Sequence, residues 1–517
     1  MNTSPPQRAD NSMSANPLEP ERRTARVALL LGILAAGLFA WGGVDFCLDD
    51  AWIHLSYAKS LQLGDGPSYN PHDRELGFSS PLWMVILAGL PIQRAPIVST
   101  KVMGAVLHGL TAYLSALVVI ELAAAQAKLS RPVPLRTVGL LAGALIATQP
   151  DLLQGAVSGM EVPLAAALVT GSLLAVLRRA WAPAFLLGAA AALARPECVV
   201  PLAAFAALRT VIARDWRTWS APLGSAAAIG LWSLYCQTVA GVPWPNTKYA
   251  KAGTFGLDGL SYLAEVVMPR QPWLVALTGA IVIAVWIIQQ VRARRFDASL
   301  VLFVSWVATL VAIAVSRPLQ PATDFYEWRY FAPFAGLPYL ALSVALLQLR
   351  PRTAGWVLVP IILVTGLTLA RTHTRTRAQE RNVLHLHTQP ARWIAAKLPA
   401  TSTVAVEGAG ALRFHTPRAM QIIDLLGLND GAIVHAASDR ARVCLIAARA
   451  PAYFVIPDNI LQPLAPVFDL RPLESFFEPD YRQVTPTQAL RVHVLASRGL
   501  RPRWSTRCAD VGEVNSP

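Results

Sequence analysis

Long apolar runs separated by short polar segments dominate the chain up to about residue 370. Eight runs carry almost no charge, and several approach the roughly 20 residues that a membrane-spanning helix needs. They are residues 27–44, 102–124, 162–177, 221–240, 273–288, 300–315, 332–347 and 356–370. The pattern predicts a polytopic α-helical membrane protein.

Four further apolar runs are shorter. Residues 137–147, 182–193 and 199–212 would suit buried core helices if they stood alone, but beside so many spans they predict helices of the same bundle. Residues 81–92 are too few for a full crossing, so this run is a candidate half-helix or re-entrant segment. We therefore expect about 11 or 12 transmembrane helices.

After Arg371 the apolar runs shorten to the length of strands. TVAVEG, MQIIDLLGL, VCLIAA, AYFVIP and LRVHVLA predict strands, and residues 390–398 predict a helix. About 145 residues suffice for one hydrophobic core. The predicted organisation is a disordered cytoplasmic tail (1–26), a transmembrane module (27–371) whose first outer loop is 45–80, and a soluble α/β domain (372–517).

The composition supports a membrane protein and argues against a nucleic-acid-binding one. Charged residues make up 15% of the chain, compared with about 25% in soluble domains. The net charge of +14 comes largely from arginines in short loops between apolar runs. This distribution marks those loops as cytoplasmic by the positive-inside rule. The net positive charge therefore reflects the membrane topology and does not indicate nucleic-acid binding.

The same rule places several polar segments together on the outer face. With the N-terminus in the cytoplasm, the first loop, residues 158–161, 195–197, 241–270 and 317–330, and the C-terminal domain are all predicted to lie outside. An oxidising compartment would allow a disulfide between Cys444 and Cys508, although two unpaired thiols fit the sequence equally well.

Two adjacent carboxylates, Asp49 and Asp50, follow the first apolar run. Aspartate is a good N-cap, so one of them is expected to cap a helix that begins near Ala51. One cap explains one aspartate. The second could project into a cleft at the membrane border and take part in catalysis.

The other outer segments carry charges beside apolar helices. SGME contains Glu161 and RPE contains Arg195 and Glu197; each carboxylate stands at the start of an apolar helix, where the helix dipole favours it, so capping is the simple interpretation. PWPNTKYAK supplies Lys248 and Lys251 on a face otherwise poor in cations. DFYEWRYFAP supplies Arg329 among aromatics typical of a membrane-interface belt.

Carboxylates beside cations at the mouth of a helix bundle suit a reaction on a phosphate-linked lipid. Cations would hold the phosphate leaving group, and arginine can grip it with two parallel hydrogen bonds. A carboxylate would take the proton from an incoming hydroxyl. The residues thus predict sugar transfer from a polyprenyl-phosphate carrier outside the cytoplasm, where nucleotide sugars are absent.

The segment LDDAWIHLSYAKSLQLGDGPSYNPHDRELGFSSPLW resembles the first-loop signature of a branch of the type-C (GT-C) membrane glycosyltransferases. That branch includes the mycobacterial terminal β-(1→2) arabinofuranosyltransferase. The family motifs SGLE, RPE and PNTFYAK and a soluble-domain pattern follow in order, here as SGME, RPE, PNTKYAK and GAGALRFHTPRAMQIIDLLGLND. The match extends from about residue 45 to 430, and its strength lies in the long loop signature and the ordered series.

The resemblance implies a type-C fold and an inverting, polyprenyl-phosphate-dependent sugar transferase of the bacterial inner membrane. Asp49 or Asp50 becomes the general base. Lys248, Lys251 and Arg329 become candidate contacts of the donor phosphate, although Lys248 stands where the family pattern has Phe. The supporting residues carried over from the motifs are Arg74, Glu161, Arg195, Glu197, Asn246 and Tyr249.

Several alternatives stay open at this point. A pentofuranose such as arabinofuranose is a candidate sugar, and an extracytoplasmic glycan or glycolipid is the expected acceptor, which the soluble domain would help to choose. Some type-C enzymes use a divalent metal; the aspartate pair would permit one, but nothing demands it.

Two other functions also fit part of the sequence. A lipid-linked-sugar flippase would place its charges at mid-bilayer in broken helices. A non-catalytic envelope-assembly protein would need Asp49 and Asp50 only for capping.

Overall fold

The computed structural model describes residues 19–127, 135–251, 257, 259–267, 278–285, 287–288, 298–317, 324–347, 349–479 and 491–509. Helices account for most of this chain up to residue 383. The longer ones are α1 Glu19–Ala40, α2 Asp50–Gln62, α4 Pro96–Ala127, α5 Leu135–Ala147, α7 Val162–Leu177, α8 Trp181–Ala194, α9 Val199–Ala213, α10 Ser220–Ala240, α13 Ala298–Ser316, α15 Leu337–Leu346 and α16 Pro351–Val383. The shorter ones are α3 Pro81–Ala88, α6 Pro150–Val157, α11 Asn246–Ala250, α12 Gly259–Tyr262 and α14 Asp324–Glu327.

Four of these helical regions are long and apolar enough to cross a membrane. They are Glu21–Ala40, Pro96–Ala125, Ala298–Ser316 and Arg352–Lys397, and shorter apolar helices accompany them. Leu30, Leu34 and Leu38 of α1 are exposed on the protein surface. A helix face of this kind is costly in water and favourable against lipid tails.

Helices of the bundle approach each other closely where small residues meet. A Cβ atom on Gly32 of α1 would lie 2.7 Å from the Cα of Gly109 in α4. A Cβ atom on Gly188 of α8 would lie 2.1 Å from the backbone oxygen of Ala221 in α10. Lipid tails are as apolar as leucine, so close backbone packing of this type is a main source of association between membrane helices.

The helical boundaries differ from the predicted ones at two places. The first helix begins at Glu19, inside the segment predicted to be a disordered tail, and it ends at Ala40. The predicted half-helix is α3, which has only 8 residues. At 1.5 Å per residue it is about 12 Å long and does not cross a bilayer. Of the predicted span 273–288, residues 278–285 and 287–288 are helical, and the rest lies outside the described residues.

The C-terminal domain contains a five-stranded sheet in the order β2-β1-β3-β5-β4. Its strands are β1 Thr403–Val406, β2 Gln421–Asp424, β3 Tyr453–Pro457, β4 Phe468–Phe477 and β5 Arg491–Leu500. The first three are parallel, and β5 runs antiparallel to both β3 and β4. Its helices are α17 Gln389–Lys397, α18 Ala409–His415, α19 Gly431–Val434, α20 Asp439–Ala448, α21 Asp458–Leu464 and α22 Pro502–Ala509.

The α/β prediction for this domain is right in class and partly wrong in detail. VCLIAA was expected to be a strand but belongs to α20, where the Ser438 side chain caps the helix by accepting a hydrogen bond from the Ala441 backbone N–H. Strand β4 was missed because most of its residues are exposed and it contains Pro472, so it lacks a buried apolar pattern. A disulfide between Cys444 and Cys508 joins α20 to α22.

Candidate active site

The first loop begins with a buried anchor, Asp45. Its carboxylate accepts hydrogen bonds from Trp52 Nε1 at 2.9 Å and from Thr388 Oγ1 at 2.7 Å. Burial raises the pKa of Asp45, although these hydrogen bonds oppose the rise. Thr388 ends a π-helical turn, Leu384–Thr388, that follows α16. Asp45 therefore fixes the start of the loop against the connection to the C-terminal domain.

Asp50 lies between two cations. Its Oδ2 atom is 2.7 Å from Arg329 Nη2 and 3.1 Å from Lys251 Nζ. Burial by itself would raise the pKa of Asp50, but Arg329 and then Lys251 hold it well below its usual range. Asp50 is therefore ionised at neutral pH. The structure thus places three of the residues singled out in the sequence in one contact group, although they come from distant segments.

Asp49 faces a different partner. It occupies the N-cap position of α2, yet its side chain makes no capping hydrogen bond there, so the expected cap is wrong. Its carboxylate instead accepts hydrogen bonds from the backbone N–H groups of Gly410 and Ala411, each at 2.8 Å. Those groups open α18 of the C-terminal domain, where a carboxylate is favoured. Asp49 thus caps a helix 361 residues away in sequence.

Arg195 and two glutamates form a second buried ionic group. Arg195 Nη1 is 2.5 Å from Glu161 Oε1, and Arg195 Nε is 3.6 Å from Glu197 Oε2. Arg317 also pairs with Glu197. The expected capping role is wrong for Glu161, which stands at the N-cap of α7 without a capping hydrogen bond. Burial raises the pKa of Glu197, but Arg195 and Arg317 outweigh it and lower the pKa to about 2.

Tyr330 connects the two ionic groups. The Arg317 guanidinium lies 3.8 Å from the centre of its ring, with Arg195 at 5.1 Å and Arg329 at 5.3 Å. Tyr330 is only 7% exposed, so it does not belong to a lipid-facing aromatic belt as the sequence suggested. Burial alone would raise the pKa of Tyr330, but Arg329, followed by Lys251 and the other cations, lowers it to about 8.

The remaining predicted residues lie outside these ionic groups. Asn246 Nδ2 donates to Glu75 Oε2 at 2.5 Å, and Tyr249 meets His435 edge to face at 4.7 Å between ring centres. Lys248 and Arg74 are exposed, and within the described part of the chain their side chains have no hydrogen-bond or ionic partner. Lys248 therefore does not join the contact group of Lys251.

The first loop lies at the carboxyl end of β1 and along the edge strand β2. Tyr69 donates to the backbone oxygen of Ala409 at 2.6 Å. Asn70 donates to the oxygen of Ile422 at 3.0 Å and accepts from its N–H at 2.9 Å. In open α/β sheets this end of the strands is where ligands usually bind. Here the loop that carries Asp49 and Asp50 fills it, so the C-terminal domain forms one wall of the site.

Sequence reasoning gave no role to several residues of this wall, notably Glu407 and His387. His387 Nδ1 is 3.8 Å from Asp49 Oδ1. Glu407 follows β1 directly and precedes the glycine-rich segment that binds Asp49. A single His or Glu in a soluble domain is not part of a motif with a recognisable spacing. The one feature of the sequence that could have pointed to Glu407 is its position immediately before the GAGALRFH motif.

An apolar cavity opens beside the first loop between α3, α8 and α10. Its volume is about 490 Å³, and its lining includes Pro81, Phe185, Leu231, Trp232 and Tyr235. Trp232 also contacts Phe78, with ring centres 5.7 Å apart. Phe78 in turn packs on Tyr57 of α2 at 4.7 Å. Aromatic side chains therefore connect the cavity to the helix that begins at Asp50.

The carboxylates of Asp49 and Asp50, which would permit a divalent metal site according to the sequence, do not point to a common position. Both carboxylate oxygens of Asp49 are taken by backbone N–H groups, and Asp50 Oδ2 faces two cations. A divalent cation prefers several converging oxygen ligands without competing positive charge. Among the described residues, no group of three or more His, Cys, Asp or Glu side chains could hold a metal ion. The residues present do not fit the possible metal site suggested by the sequence.

Comparison with known proteins gives a fold for the whole chain and a family match for its last part. The crystal structure of ArnT from Cupriavidus metallidurans bound to undecaprenyl phosphate is similar with a TM-score of 0.59 and 14% sequence identity, over 92% of this chain and 97% of that one. ArnT from the same organism in the apo state gives a TM-score of 0.55 at the same identity and coverage. Residues 372–506 match a family described as a domain of unknown function, DUF8728.

No curated protein sequence matches the chain. The likeness to ArnT covers nearly the whole length of both proteins, so it concerns the architecture as a whole. Together with the apolar helices, it identifies a multi-pass membrane protein with the type-C (GT-C) glycosyltransferase fold of ArnT.

Proposed function

We propose that this protein is an inverting membrane glycosyltransferase that moves a sugar from a polyprenyl-phosphate donor to an extracytoplasmic glycan or glycolipid. The observation that carries the proposal is the placement of Asp50 between Lys251 and Arg329. This contact group belongs to a fold shared with ArnT, which has been crystallised with undecaprenyl phosphate. The first-loop resemblance makes a pentofuranose, with arabinofuranose first, the candidate sugar.

The cations suit the donor phosphate. The Asp50 side chain is 28% exposed, while Arg329 is only 4% exposed, so an incoming phosphate would meet fixed charges at the edge of a buried site. Arginine can hold two phosphate oxygens at once, and lysine adds a point charge. As the bond to the sugar breaks, negative charge grows on the phosphate, and preorganised cations stabilise that charge. Lys248, exposed one turn from Lys251, is a proposed contact at the rim.

The apolar cavity suits the lipid part of the donor. An isoprenoid chain has no hydrogen-bonding group, and the cavity is lined almost wholly by apolar side chains. Trp232, Phe78 and Tyr57 connect this cavity to α2, whose first residue is Asp50. We propose that a lipid in the cavity lies beside α2 and that its phosphate extends to the cations at the start of this helix.

We place the site and the C-terminal domain on the outer side of a bacterial inner membrane. The disulfide between Cys444 and Cys508 supports an oxidising compartment for the domain. Asp49 joins this domain directly to the first loop, so the two lie on the same side. The proposed acceptor would then be a glycan or glycolipid of the cell envelope.

The test is transfer from radiolabelled polyprenyl-phosphate sugars, arabinofuranose first, by membranes containing wild type or Asp50→Asn. The wild type should label an envelope glycan or lipid, and Asp50→Asn should lower the rate about 100-fold or more because the ion pairs that orient the cations are lost. Glu474→Gln, which alters an exposed carboxylate on β4, is the matched control and should keep the wild-type rate.

Two outcomes would contradict the proposal. Equal transfer by Asp50→Asn and wild type, at equal protein levels, would remove Asp50 from the reaction. Movement of the labelled donor across vesicle membranes without transfer to any acceptor would favour a flippase. Measuring sugar transfer and the membrane leaflet that holds the donor in the same vesicles distinguishes a transferase from a flippase.

A further inference from the structure

We infer that Glu407 of the C-terminal domain is the general base that takes the proton from the acceptor hydroxyl. The inference rests on the proposed transferase function and assigns a chemical role to the domain that follows the helical bundle. In this scheme Asp50 organises the cations, Asp49 attaches the domain to the loop, and Glu407 accepts the proton.

The backbone on both sides of Glu407 is fixed at the site. Its own N–H donates to the backbone oxygen of Val455 at 3.2 Å, which continues the pairing of β1 with β3 by one residue. The next residue, Gly408, lies so close to His387 that a Cβ atom would stand 2.2 Å from Nδ1. Two residues further, the Gly410 N–H binds Asp49. Glu407 is therefore held at the edge of the group formed by Asp49 and His387.

The two aspartates are poorly suited to accept a proton. Both oxygens of Asp49 already accept backbone hydrogen bonds at 2.8 Å. Burial raises the pKa of Asp50, but Arg329 and then Lys251 outweigh burial and hold this pKa below its usual range, which makes Asp50 a weak base. A general base works best when its pKa approaches the operating pH. A third carboxylate whose pKa lies above its usual range would be better suited to this role.

Glu407 has that environment. Burial raises the pKa of its carboxyl group, Asp49 and Asp50 raise it further, and His387 opposes them. Among the described residues, these three are the titratable groups whose charges act on Glu407. In the described part of the chain the Glu407 side chain has no hydrogen-bond partner, and it is partly exposed. Carboxylates whose pKa values are shifted in opposite directions commonly divide the acid–base work of a site.

The proposed step is an inverting displacement. The acceptor oxygen attacks the anomeric carbon of the donor sugar and forms the new glycosidic bond. The bond between that carbon and the phosphate oxygen breaks, and its electron pair leaves with the polyprenyl phosphate, which Lys251 and Arg329 would hold. The hydroxyl proton passes to the Glu407 carboxylate and then to solvent.

The experiment compares Glu407→Gln, Glu407→Asp and the control Glu474→Gln in the full-length protein. General-base catalysis contributes about 100- to 10,000-fold, so Glu407→Gln should lower the transfer rate by at least about 100-fold. Glu407→Asp should recover part of the rate. The wild-type rate should rise with pH through an acidic limb as Glu407 deprotonates, and Glu407→Gln should lose that limb.

Binding of undecaprenyl phosphate, followed by native mass spectrometry, provides the readout that is independent of catalysis. Unchanged binding by Glu407→Gln together with lost transfer supports the inference. Full transfer by Glu407→Gln, or an acidic limb that persists in it, overturns the inference and leaves the transferase function intact. Absence of transfer by wild type from every donor tested overturns the proposed function itself.

Discussion

Asp49 and Gly410 are joined by a hydrogen bond of 2.8 Å between a side chain of the first loop and the backbone of the C-terminal domain. The residue after Asp49 is Asp50, which lies at the cation group. The position of the domain therefore bears directly on the position of the proposed reaction centre. The sequence predicts that the domain helps to choose the acceptor, and its contacts show that it also supports the first loop. Removing the domain would therefore disturb the choice of acceptor and the position of the loop.

The close approach at Gly410 leads to a first prediction. A Cβ atom at this position would lie 2.1 Å from the backbone oxygen of Asp49, so Gly410→Ala should push α18 away from the loop. We expect faster proteolysis between the two domains and a transfer rate reduced at least about tenfold, since a misplacement of about 1 Å at a reaction site can cost about 100-fold.

The matched control for this variant is Gly366→Ala in α16, where a Cβ atom meets no other atom within 4 Å. This variant should keep the protease resistance and the transfer rate of wild type. Normal protease resistance in Gly410→Ala, measured on purified protein in detergent, would show that the contact with Asp49 does not hold the domain in place.

The two lysines of the PNTKYAK segment allow a second prediction. Lys251 contacts Asp50 at 3.1 Å, whereas Lys248 is exposed and lies outside that group. Lys251→Met should therefore weaken binding of undecaprenyl phosphate about tenfold or more, because a charge-assisted contact is worth about 1.5–3 kcal/mol. Lys248→Met should have a clearly smaller effect.

Titration of both variants with undecaprenyl phosphate in detergent provides the measurement. Short-chain phospholipid of equal charge serves as the competitor that reports nonspecific attraction. A larger loss in Lys248→Met than in Lys251→Met would move the phosphate site to the rim and away from Asp50.

Tyr330 leads to a third prediction, which concerns pH. Its pKa, raised by burial but lowered more strongly by Arg329 and the other cations, is about 8, compared with an unperturbed 10. Above about pH 8 the phenolate adds a negative charge where a phosphate is proposed to bind. Affinity for undecaprenyl phosphate should therefore fall as pH rises from 7 to 9, and Tyr330→Phe should remove most of that fall.

The sign of the stability effect is opposite. The native protein loses the Tyr330 proton at a lower pH than the unfolded chain, so ionisation of this residue stabilises the native state between about pH 8 and pH 10. Thermal unfolding of wild type relative to Tyr330→Phe should show a difference that grows across that range. A difference that stays constant with pH would mean that Tyr330 does not ionise there.

Local hydrophobic patterns in the sequence predicted the secondary-structure elements, and the ordered motifs predicted which segments contribute to the candidate site. Apolar runs located most helices, and Lys251, Arg329 and Asp50 were selected because carboxylates and cations were expected on one face. What failed were inferences about individual partners. Glu161 was expected to cap a helix because its neighbours in sequence suggested one, whereas its partner Arg195 lies 34 residues away.

Residue burial in the first loop shows the same limit. The sequence predicts an amphipathic helix after Asp50 with Trp52 on its apolar face, yet His54 and Ser56 are buried in α2 as well. The C-terminal domain covers the polar side of this helix, as the hydrogen bond from Ser56 Oγ to the Gly410 oxygen illustrates. Hydrophobic periodicity distinguishes helix positions that face an apolar core from positions that face water. It therefore cannot predict the burial of a polar helix face that another domain covers.

The disulfide leads to a fourth prediction, which separates the stability of the domain from its role at the site. Cys444 and Cys508 close a loop of 64 residues, and such a bond typically contributes about 2–4 kcal/mol. The double variant Cys444→Ser/Cys508→Ser should lower the unfolding temperature of the domain. It should retain transfer at permissive temperature, because the disulfide joins α20 to α22 and neither helix supplies a residue of the proposed site.

Labelling with a membrane-impermeant maleimide after reduction tests the compartment in the same experiment. Intact cells (or spheroplasts, where an outer membrane blocks access) should label Cys444 and Cys508 only after reductant is added, since the thiols are paired and on the outer side. Labelling without reductant would show free thiols, and labelling only in lysed cells would place the domain in the cytoplasm. The second result would also move Asp49 and Asp50 to the cytoplasmic side, because the hydrogen bonds from Gly410 and Ala411 keep the loop and the domain together.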